Sequence, residues 1–163
     1  MMKLYEIDDK YIDYLRRYDS KVLSPKLTER KFSRKYLGVV LSVNGLDYFV
    51  PLSSYKSKHD RMKNSVDFIK IKDNKRKYAV LNINNMIPVV PSVLIPFDIR
   101  QEADIKYRSL MVSEFIAISK LEESIKKKAA NFYKLVVFDK IDRYIQRSCD
   151  FTRLEAAAKE YHQ

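Results

Sequence analysis

The chain has 163 residues, and its 32 Lys and Arg residues against 21 Asp and Glu give a net charge of +11. This length suits a single domain, residues 1–163, that buries its own core without help from metals or disulfides. Cys149 is the only cysteine, which excludes an intrachain disulfide and a cysteine-based zinc site. The sequence has no signal-peptide pattern and no run approaching the roughly 18 apolar residues of a membrane span, so we expect a cytoplasmic protein with no membrane partner.

The N-terminal region predicts a strand followed by a helix. Residues 2–7 alternate apolar and polar side chains, as short strands do. Asp8 or Asp9 can cap the helix that follows. Its apolar stripe consists of Ile12, Leu15 and Tyr18.

A β-hairpin is the clearest local signal. In YLGVVLSVNGLDYFVPL, two apolar runs are joined by Asn44 and Gly45, a pair that favours the two-residue hairpin turn. Two further strands are expected at residues 66–72 and 77–83, with turn residues between them. The stretch MIPVVPSVLIPF is also extended, but its three prolines lack amide donors and confine it to a sheet edge.

Helices are expected after about residue 101. Met111, Phe115, Ile118 and Ile125 mark one apolar stripe, and Phe132, Val136, Ile141 and Ile145 mark a second. They predict two long helices broken near Leu121 or Lys128, and Asp150 or Thr152 can cap a last helix. Strands followed by helices indicate an α+β domain on an antiparallel sheet that curls into a partly closed barrel.

The positive charge is concentrated in two segments. Residues 26–35, within a predicted basic loop at 20–35, carry five basic residues and one acidic residue; residues 56–77 carry nine basic and three acidic. Such runs are often only solvated loops. The 12 tyrosines and 8 phenylalanines interleaved with this charge favour RNA or single-stranded nucleic acid, whose bases stack on aromatic rings. Both glycines lie in the hairpin region, so no glycine-rich phosphate loop is present.

The hairpin also predicts a candidate site. Its two outer ends are neighbours, so residues 30–36 should meet residues 51–57, whose sequence is PLSSYKS. Ser53 and Ser54 can donate hydrogen bonds to a phosphate or relay a proton, and Lys56 can balance developing negative charge. This chemistry suits metal-free RNA cleavage by the 2′-hydroxyl.

The residues alone leave alternatives open. A serine needs a base, and Lys56, Tyr11 and His59 are all candidates. Serines after a proline-broken strand are ordinary turn residues, Tyr11 occupies a core-facing helix position, and His59 can be a surface histidine. A serine–lysine hydrolase and a nonenzymatic RNA-binding protein both remain possible functions.

Four segments of the chain resemble the ToxN/AbiQ family of type III toxin–antitoxin toxins. They are MKLYEIDDKYIDYL, RKYLGVVLSVNGLDYFVPLSSYKSKH, NINNMIPVV and SCDFTRLEAAAKEY. The resemblance implies a MazF/Kid-like, partly open barrel with added helices and a metal-independent endoribonuclease without cofactors. It also implies 2′,3′-cyclic phosphate and 5′-hydroxyl products, often from A-rich RNA. The implied partner is a repeated pseudoknot RNA antitoxin that the toxin processes, in a closed protein–RNA assembly that can abort phage infection.

The resemblance also assigns residues. Ser54 takes the place of the family's catalytic serine, with Lys56, Ser53 and Tyr11 as further catalytic residues. Tyr55 stands where a relative has proline, which makes the loop before Lys56 less rigid. Arg34 and His59 also match positions of the family and are expected to contact RNA. Apart from the resemblance, Lys35, Lys58 and Arg108 are expected to contact RNA phosphates.

Overall fold

The computed structural model describes residues 2–25 and 33–162, which form an α+β domain. The strands are β1 (Lys3–Ile7), β2 (Tyr36–Val43), β3 (Leu46–Ser54), β4 (Phe68–Lys72), β5 (Lys77–Asn82), β6 (Ile87–Val89) and β7 (Leu94–Pro96). The helices are α1 (Asp9–Arg16), α2 (Ile105–Ser119), α3 (Glu122–Tyr133), α4 (Asp142–Ile145) and α5 (Phe151–Lys159). The predicted α+β class is confirmed. Residues 26–32, the centre of the predicted basic loop, lie outside the described residues.

The strands form one antiparallel sheet in the order β4-β5-β3-β2-β1-β7, and β6 pairs with β3 beside this path. No pairing among the described residues joins β4 to β7, so the sheet is open. The predicted antiparallel sheet is confirmed, but closure into a barrel is not seen.

The hairpin of β2 and β3 forms as the sequence predicts. Asn44 and Gly45 adopt φ angles of 54° and 76°, the left-handed conformation that a two-residue hairpin turn requires. Gly38 pairs with Phe49 across the hairpin, and a Cβ atom at Gly38 would lie 2.2 Å from Cδ2 of that ring. Any residue with a Cβ atom at position 38 would therefore collide with the Phe49 ring.

The proline-rich stretch lies at the edges of the sheet, as predicted. Pro88 in β6 pairs only with β3, and Pro96 in β7 pairs only with β1, so neither proline interrupts a ladder on both sides. The stretch is two short strands instead of one because a 3₁₀ turn at Pro91–Val93 separates them.

The helical half agrees with the prediction only in part. The chain breaks at Leu121, between α2 and α3, whereas Lys128 lies inside α3. The second long helix is wrong beyond α3: after a π-helical turn at Lys134–Phe138 the chain leaves the helix at Lys140, where φ is 52°, and Ile145 is an exposed residue of the separate short helix α4. No helix that the structure describes is long and apolar enough to cross a membrane.

A buried carboxylate ties the C-terminal helix to the sheet. Asp150 caps α5 by accepting a hydrogen bond from the Arg153 amide. One turn further on, the Glu155 carboxylate accepts hydrogen bonds from the hydroxyls of Tyr48 in β3 and Tyr133 in α3. Its other oxygen accepts from the Asn44 side chain at 2.9 Å, so α5, α3 and the hairpin share one polar centre.

Candidate active site and nucleic-acid interface

The two segments at the outer end of the hairpin meet as predicted. The Leu52 amide donates to the Lys35 carbonyl at 3.0 Å, and Tyr36 pairs with Pro51. The Arg34 guanidinium donates through Nη1 to the Leu52 carbonyl at 3.0 Å. For residues 33–36, the described part of the first segment, the predicted contact is therefore confirmed.

Ser53 is held by two side chains from different parts of the chain. Its Oγ accepts hydrogen bonds from Arg34 Nη1 and from Asn82 Nδ2, each at 3.0 Å. A hydroxyl has two lone pairs and one hydrogen, so both acceptor positions are occupied. Ser53 can therefore serve a ligand only as a donor. Asn82 was missed as a site residue, although it is the first residue of the NINNMIPVV segment.

Ser54 and Lys56 are both exposed at the end of β3. Ser54 is the last strand residue, and Lys56 has an extended backbone with φ −122° and ψ 160°. Residues two apart on an extended chain project to the same side. An exposed hydroxyl and an exposed ammonium group thus lie two residues apart in the chain, with Ser54 on the face of β3 opposite to Ser53.

A 3₁₀ turn at Ser57–Arg61 follows directly. His59 is buried, with 6% of its surface exposed, and its ring Nδ1 accepts a hydrogen bond from the Lys56 amide at 2.8 Å. Burial, followed by the charges of Lys58 and Lys56, lowers the pKa of His59. The side chain is therefore a neutral imidazole at neutral pH.

Tyr55 makes contacts that a proline at its position could not make. Its hydroxyl donates to Asp60 at 2.9 Å, and Lys77 Nζ lies 2.6 Å from the same carboxylate oxygen and 5.6 Å from the centre of the Tyr55 ring. Hydrogen bonds from Lys77 and then Tyr55 lower the pKa of Asp60, which keeps its carboxylate charged. These contacts tether the loop that the proline difference was expected to loosen.

The basic residues of segment 56–77 form an exposed surface, here called the basic strip. All are exposed except Lys70, which is half-buried and donates to the His59 carbonyl at 3.2 Å. The exposed members are Lys56, Lys58, Arg61, Lys63, Lys72, Lys75, Arg76 and Lys77. Lys77 alone among them forms an ion pair within the described residues, so the strip adjoins Ser54 with most of its charge available to an anion.

Comparison with known proteins identifies the family. Residues 3–159 match the family model described as the toxin ToxN of type III toxin–antitoxin systems. The chain belongs to the ToxN family. It is 36% identical over 167 residues to an endoribonuclease ToxN from Bacillus thuringiensis subsp. kurstaki, covering 98% of this chain and 84% of that relative.

Solved structures agree with the ToxN assignment. One comes from a study of selective toxin inhibition by a non-coding RNA pseudoknot in type III systems; it has 35% identity and a TM-score of 0.87, covering 98% of this chain and 97% of that one. Another is AbiQ, a lactococcal anti-phage endoribonuclease of a type III system, with 30% identity and a TM-score of 0.87, covering 98% and 96%. The whole described fold is therefore that of ToxN-family toxins.

In this ToxN-family chain, Tyr11 lies in the core. Its side chain is 0% exposed, its hydroxyl donates to the Pro88 carbonyl at 2.7 Å, and burial raises the pKa of the hydroxyl. Its ring packs edge-on against Tyr161. None of these contacts involves Ser53, Ser54 or Lys56, so the catalytic role of Tyr11 stays a prediction from the resemblance.

Lys35 is buried, with 5% of its surface exposed. Its ammonium lies 3.2 Å from a Glu6 carboxylate oxygen and donates to the Ser33 carbonyl at 2.8 Å, above the ring of Phe97. Burial raises the pKa of the neighbouring Glu114 to about 7, and the Lys35 charge opposes that rise. The Lys35 ammonium thus binds the Glu6 carboxylate and the Ser33 carbonyl inside the protein. Its predicted RNA contact stays a prediction.

Arg108 lies on α2, outside the two segments that hold the serines and the basic strip. It lines a shallow hollow on α2 with Arg100 and Ile105, and its Nη1 lies 3.5 Å from the Glu102 carbonyl. Among the described residues, no group of three or more His, Cys, Asp or Glu side chains is arranged to hold a metal ion.

Proposed function

We propose that this chain is the toxin of a type III toxin–antitoxin system and that it cleaves RNA as a metal-independent endoribonuclease. Membership of the ToxN family and the endoribonuclease names of its relatives support this function. The observation that carries the catalytic assignment is the exposure of both Ser54 and Lys56, two residues apart where β3 runs into the basic strip.

The proposed reaction is a transfer within the RNA. The 2′-oxygen attacks the adjacent phosphorus, the bond from phosphorus to the 5′-oxygen breaks, and the products carry a 2′,3′-cyclic phosphate and a 5′-hydroxyl. Ser54 Oγ relays the proton of the 2′-hydroxyl to water, and the departing 5′-oxygen takes a proton from water, so that no proton is gained or lost overall. The Lys56 ammonium balances charge on the phosphate oxygens, as preorganised cations do in phosphoryl transfer.

The remaining polar groups support this pair in different ways. Ser53, with both lone pairs engaged by Arg34 and Asn82, can donate its hydrogen to a phosphate oxygen but cannot accept a proton. The same two bonds fix the end of β3 from which Ser54 projects. Because transition-state positions tolerate little displacement, such anchoring contributes to rate without contact to the reacting atoms.

The proposed partner is a repeated pseudoknot RNA that the toxin processes and by which it is inhibited, in a closed protein–RNA assembly. The similarity to structures from type III systems with an RNA pseudoknot inhibitor supports a direct RNA complex. An anti-phage role follows by analogy with AbiQ. We also propose that the open antiparallel sheet of this chain corresponds to the partly open barrel of MazF/Kid-like toxins.

RNA is proposed to dock on the basic strip. In a Ser54→Ala background, in which RNA cleavage is expected to be slow enough for binding to be measured, we expect replacement of Lys58, Lys63, Lys72 and Lys75 by Gln to weaken antitoxin RNA binding. For each phosphate that no longer meets a lysine, the slope of log affinity against log salt should become shallower by about 0.7–0.9. Titration at several salt concentrations measures both effects.

A control variant matches the change in charge. Lys3, Lys10, Lys120 and Lys159 are exposed and lie outside the strip. Their replacement by Gln removes the same charge and should leave the slope nearly unchanged. Equal weakening of RNA binding in the two variants would mean that RNA responds to net charge alone and not to this surface.

The catalytic proposal is tested by RNA cleavage with purified toxin and excess chelator, without antitoxin. We expect cleavage to continue, with products that carry 2′,3′-cyclic phosphate and 5′-hydroxyl ends. Loss of cleavage on chelation, or 5′-phosphate ends, would contradict attack by the 2′-hydroxyl without metal. Tight RNA binding with no cleavage would instead favour a nonenzymatic RNA-binding protein.

A further inference from the structure

We propose that His59 is a positioning residue that fixes the backbone of Lys56 through its ring Nδ1, and that it takes no proton from RNA. This inference rests on the proposed function, in which the Lys56 ammonium acts at the phosphate. This positioning role differs from the two roles that the sequence leaves open for His59, namely substrate contact and acid–base catalysis.

His59 engages both backbone polar groups of Lys56. The Lys56 amide donates to His59 Nδ1 at 2.8 Å, and the His59 amide donates to the Lys56 carbonyl at 2.9 Å. The peptide units on both sides of the Lys56 Cα atom are therefore held by one residue. With the backbone fixed, the direction in which the Lys56 side chain leaves the loop is fixed too.

The imidazole ring is itself clamped. Phe68 of β4 stacks on it with a centroid distance of 5.6 Å, and Tyr55 meets it edge-on at 5.4 Å. The His59 carbonyl accepts a hydrogen bond from Lys70 Nζ, also on β4. Phe68 and Lys70 of β4 thus position His59, and His59 in turn positions the backbone of Lys56.

The hydrogen bond determines which nitrogen carries the proton. A neutral imidazole has one N–H and one lone-pair nitrogen, and the lone pair here is the Nδ1 acceptor of the Lys56 amide. The proton is therefore on Nε2. A general base needs a free lone pair within reach of the substrate hydroxyl, and the only one on this ring is already used inside the protein.

Protonation of the ring would break this arrangement. A proton on Nδ1 would point at the Lys56 N–H, so the hydrogen bond could not form. The groups around the ring are Lys56, Lys58, Asp60 and Tyr55 on its own loop, Lys70 on β4 and, through Asp60, Lys77 on β5. Burial and the two nearest lysines lower the pKa of His59, so the neutral form persists below the ordinary histidine range.

The direction of the pH effect follows. The hydrogen bond from the Lys56 amide needs the neutral ring, and the folded-state pKa of His59 is lowered. The hydrogen bond is therefore fully formed above about pH 6.5, the ordinary histidine pKa, and it is lost as the pH falls through the lowered pKa. We therefore expect kcat to decrease on the acid side while the Michaelis constant for RNA changes less.

Two substitutions separate the nitrogens. His59→Asn places its amide oxygen near the position of Nδ1, where it can accept from the Lys56 amide, and it does not titrate. His59→Gln places its amide nearer the position of Nε2. We expect H59N to keep kcat within the wild-type order of magnitude and to lose the acid-side decrease. We expect H59Q to lose about 10²-fold in kcat, the cost of an ångström-scale misplacement of a catalytic group.

The opposite pattern would overturn the proposal. Equal loss of kcat in both variants would indicate acid–base catalysis, and equal retention would mean that the hydrogen bond to Lys56 does not matter for the reaction. Activity in H59Q with loss in H59N would assign the role to Nε2 and hence to substrate contact.

A measurement on the wild-type protein separates this inference from the proposed function and does not depend on how the variants fold. Nitrogen-15 NMR of the His59 ring should show a protonated Nε2 and an unprotonated Nδ1 at neutral pH. A protonated Nδ1 would overturn the inference even if RNA is cut. If RNA is not cut but Nδ1 is unprotonated, the proposed function fails and the hydrogen bond between His59 and Lys56 stands.

Discussion

Replacement of Ser54 by alanine is expected to reduce RNA cleavage by about 10²–10⁴-fold, the usual contribution of a positioned proton-transfer group. Ser54 is exposed at the end of β3, so its hydroxyl is available to substrate. Alanine removes only that hydroxyl and keeps the strand pairing with Ala79. RNA binding, measured separately on uncleavable RNA, should therefore remain close to that of the wild type.

Ser42→Ala is the matched control. Ser42 is an exposed serine near the tip of the same hairpin, and its hydroxyl donates to the Asp47 carboxylate. The substitution should leave cleavage unchanged, because Ser42 lies at the opposite end of the hairpin from the site. A Ser54→Ala protein that cuts RNA at the wild-type rate would remove Ser54 from the mechanism. A parallel loss of RNA affinity would make it a binding residue instead.

The largest expected effect on stability follows replacement of Glu155 by alanine. The carboxylate accepts three hydrogen bonds, and two of the donors, the hydroxyls of Tyr48 and Tyr133, are buried. Burial, followed by the bond to Glu155, raises the pKa of each tyrosine, so both remain neutral donors. Alanine would leave these donors without an acceptor, at a cost of about 3–5 kcal/mol in the free energy of unfolding.

Thermal and denaturant unfolding measure this loss. For a chain of this size, about 1 kcal/mol corresponds to a change of roughly 2–4 °C in Tm, so Glu155→Ala should lower Tm by about 10 °C. Tyr133→Phe removes a single donor together with its need for a partner, and it should cost only about 1 kcal/mol. If Glu155→Ala proved no more harmful than Tyr133→Phe, the carboxylate would not be the polar centre that joins α5 to the hairpin.

Local chemistry accounts for what was predictable in the fold. The turn at Asn44 and Gly45, the caps Asp8 and Asp150 and the edge positions of the prolines each depend on a few adjacent residues. The break between α2 and α3 was narrowed only to Leu121 or Lys128, and the structure places it at Leu121. The π-helical turn at Lys134–Phe138 was not predictable, because it depends on how the helix packs and not on a local signal.

The candidate site divides along the same line. The spacing of Ser53, Ser54 and Lys56 after an apolar strand, with the basic segments beside it, is visible in the sequence by itself. The strand period of two places Ser53 and Ser54 on opposite faces of β3, and it predicts the exposure of Ser54 together with the half-burial of Ser53. The sequence alone therefore determined the hairpin and the α+β class, narrowed each of the two caps to two candidates, and singled out Ser54 and Lys56 as candidates for the site.

Only the tertiary structure decided what the other polar residues do. Lys35 was expected to contact RNA, His59 could be a surface histidine, and nothing in the sequence pointed to Glu155. The fold buries each of them beside a partner distant along the chain or across a turn. Asn82 reaches Ser53 only because β5 pairs with the end of β3. Burial and partner choice depend on contacts between segments far apart in sequence, and no local pattern of residue types encodes those contacts.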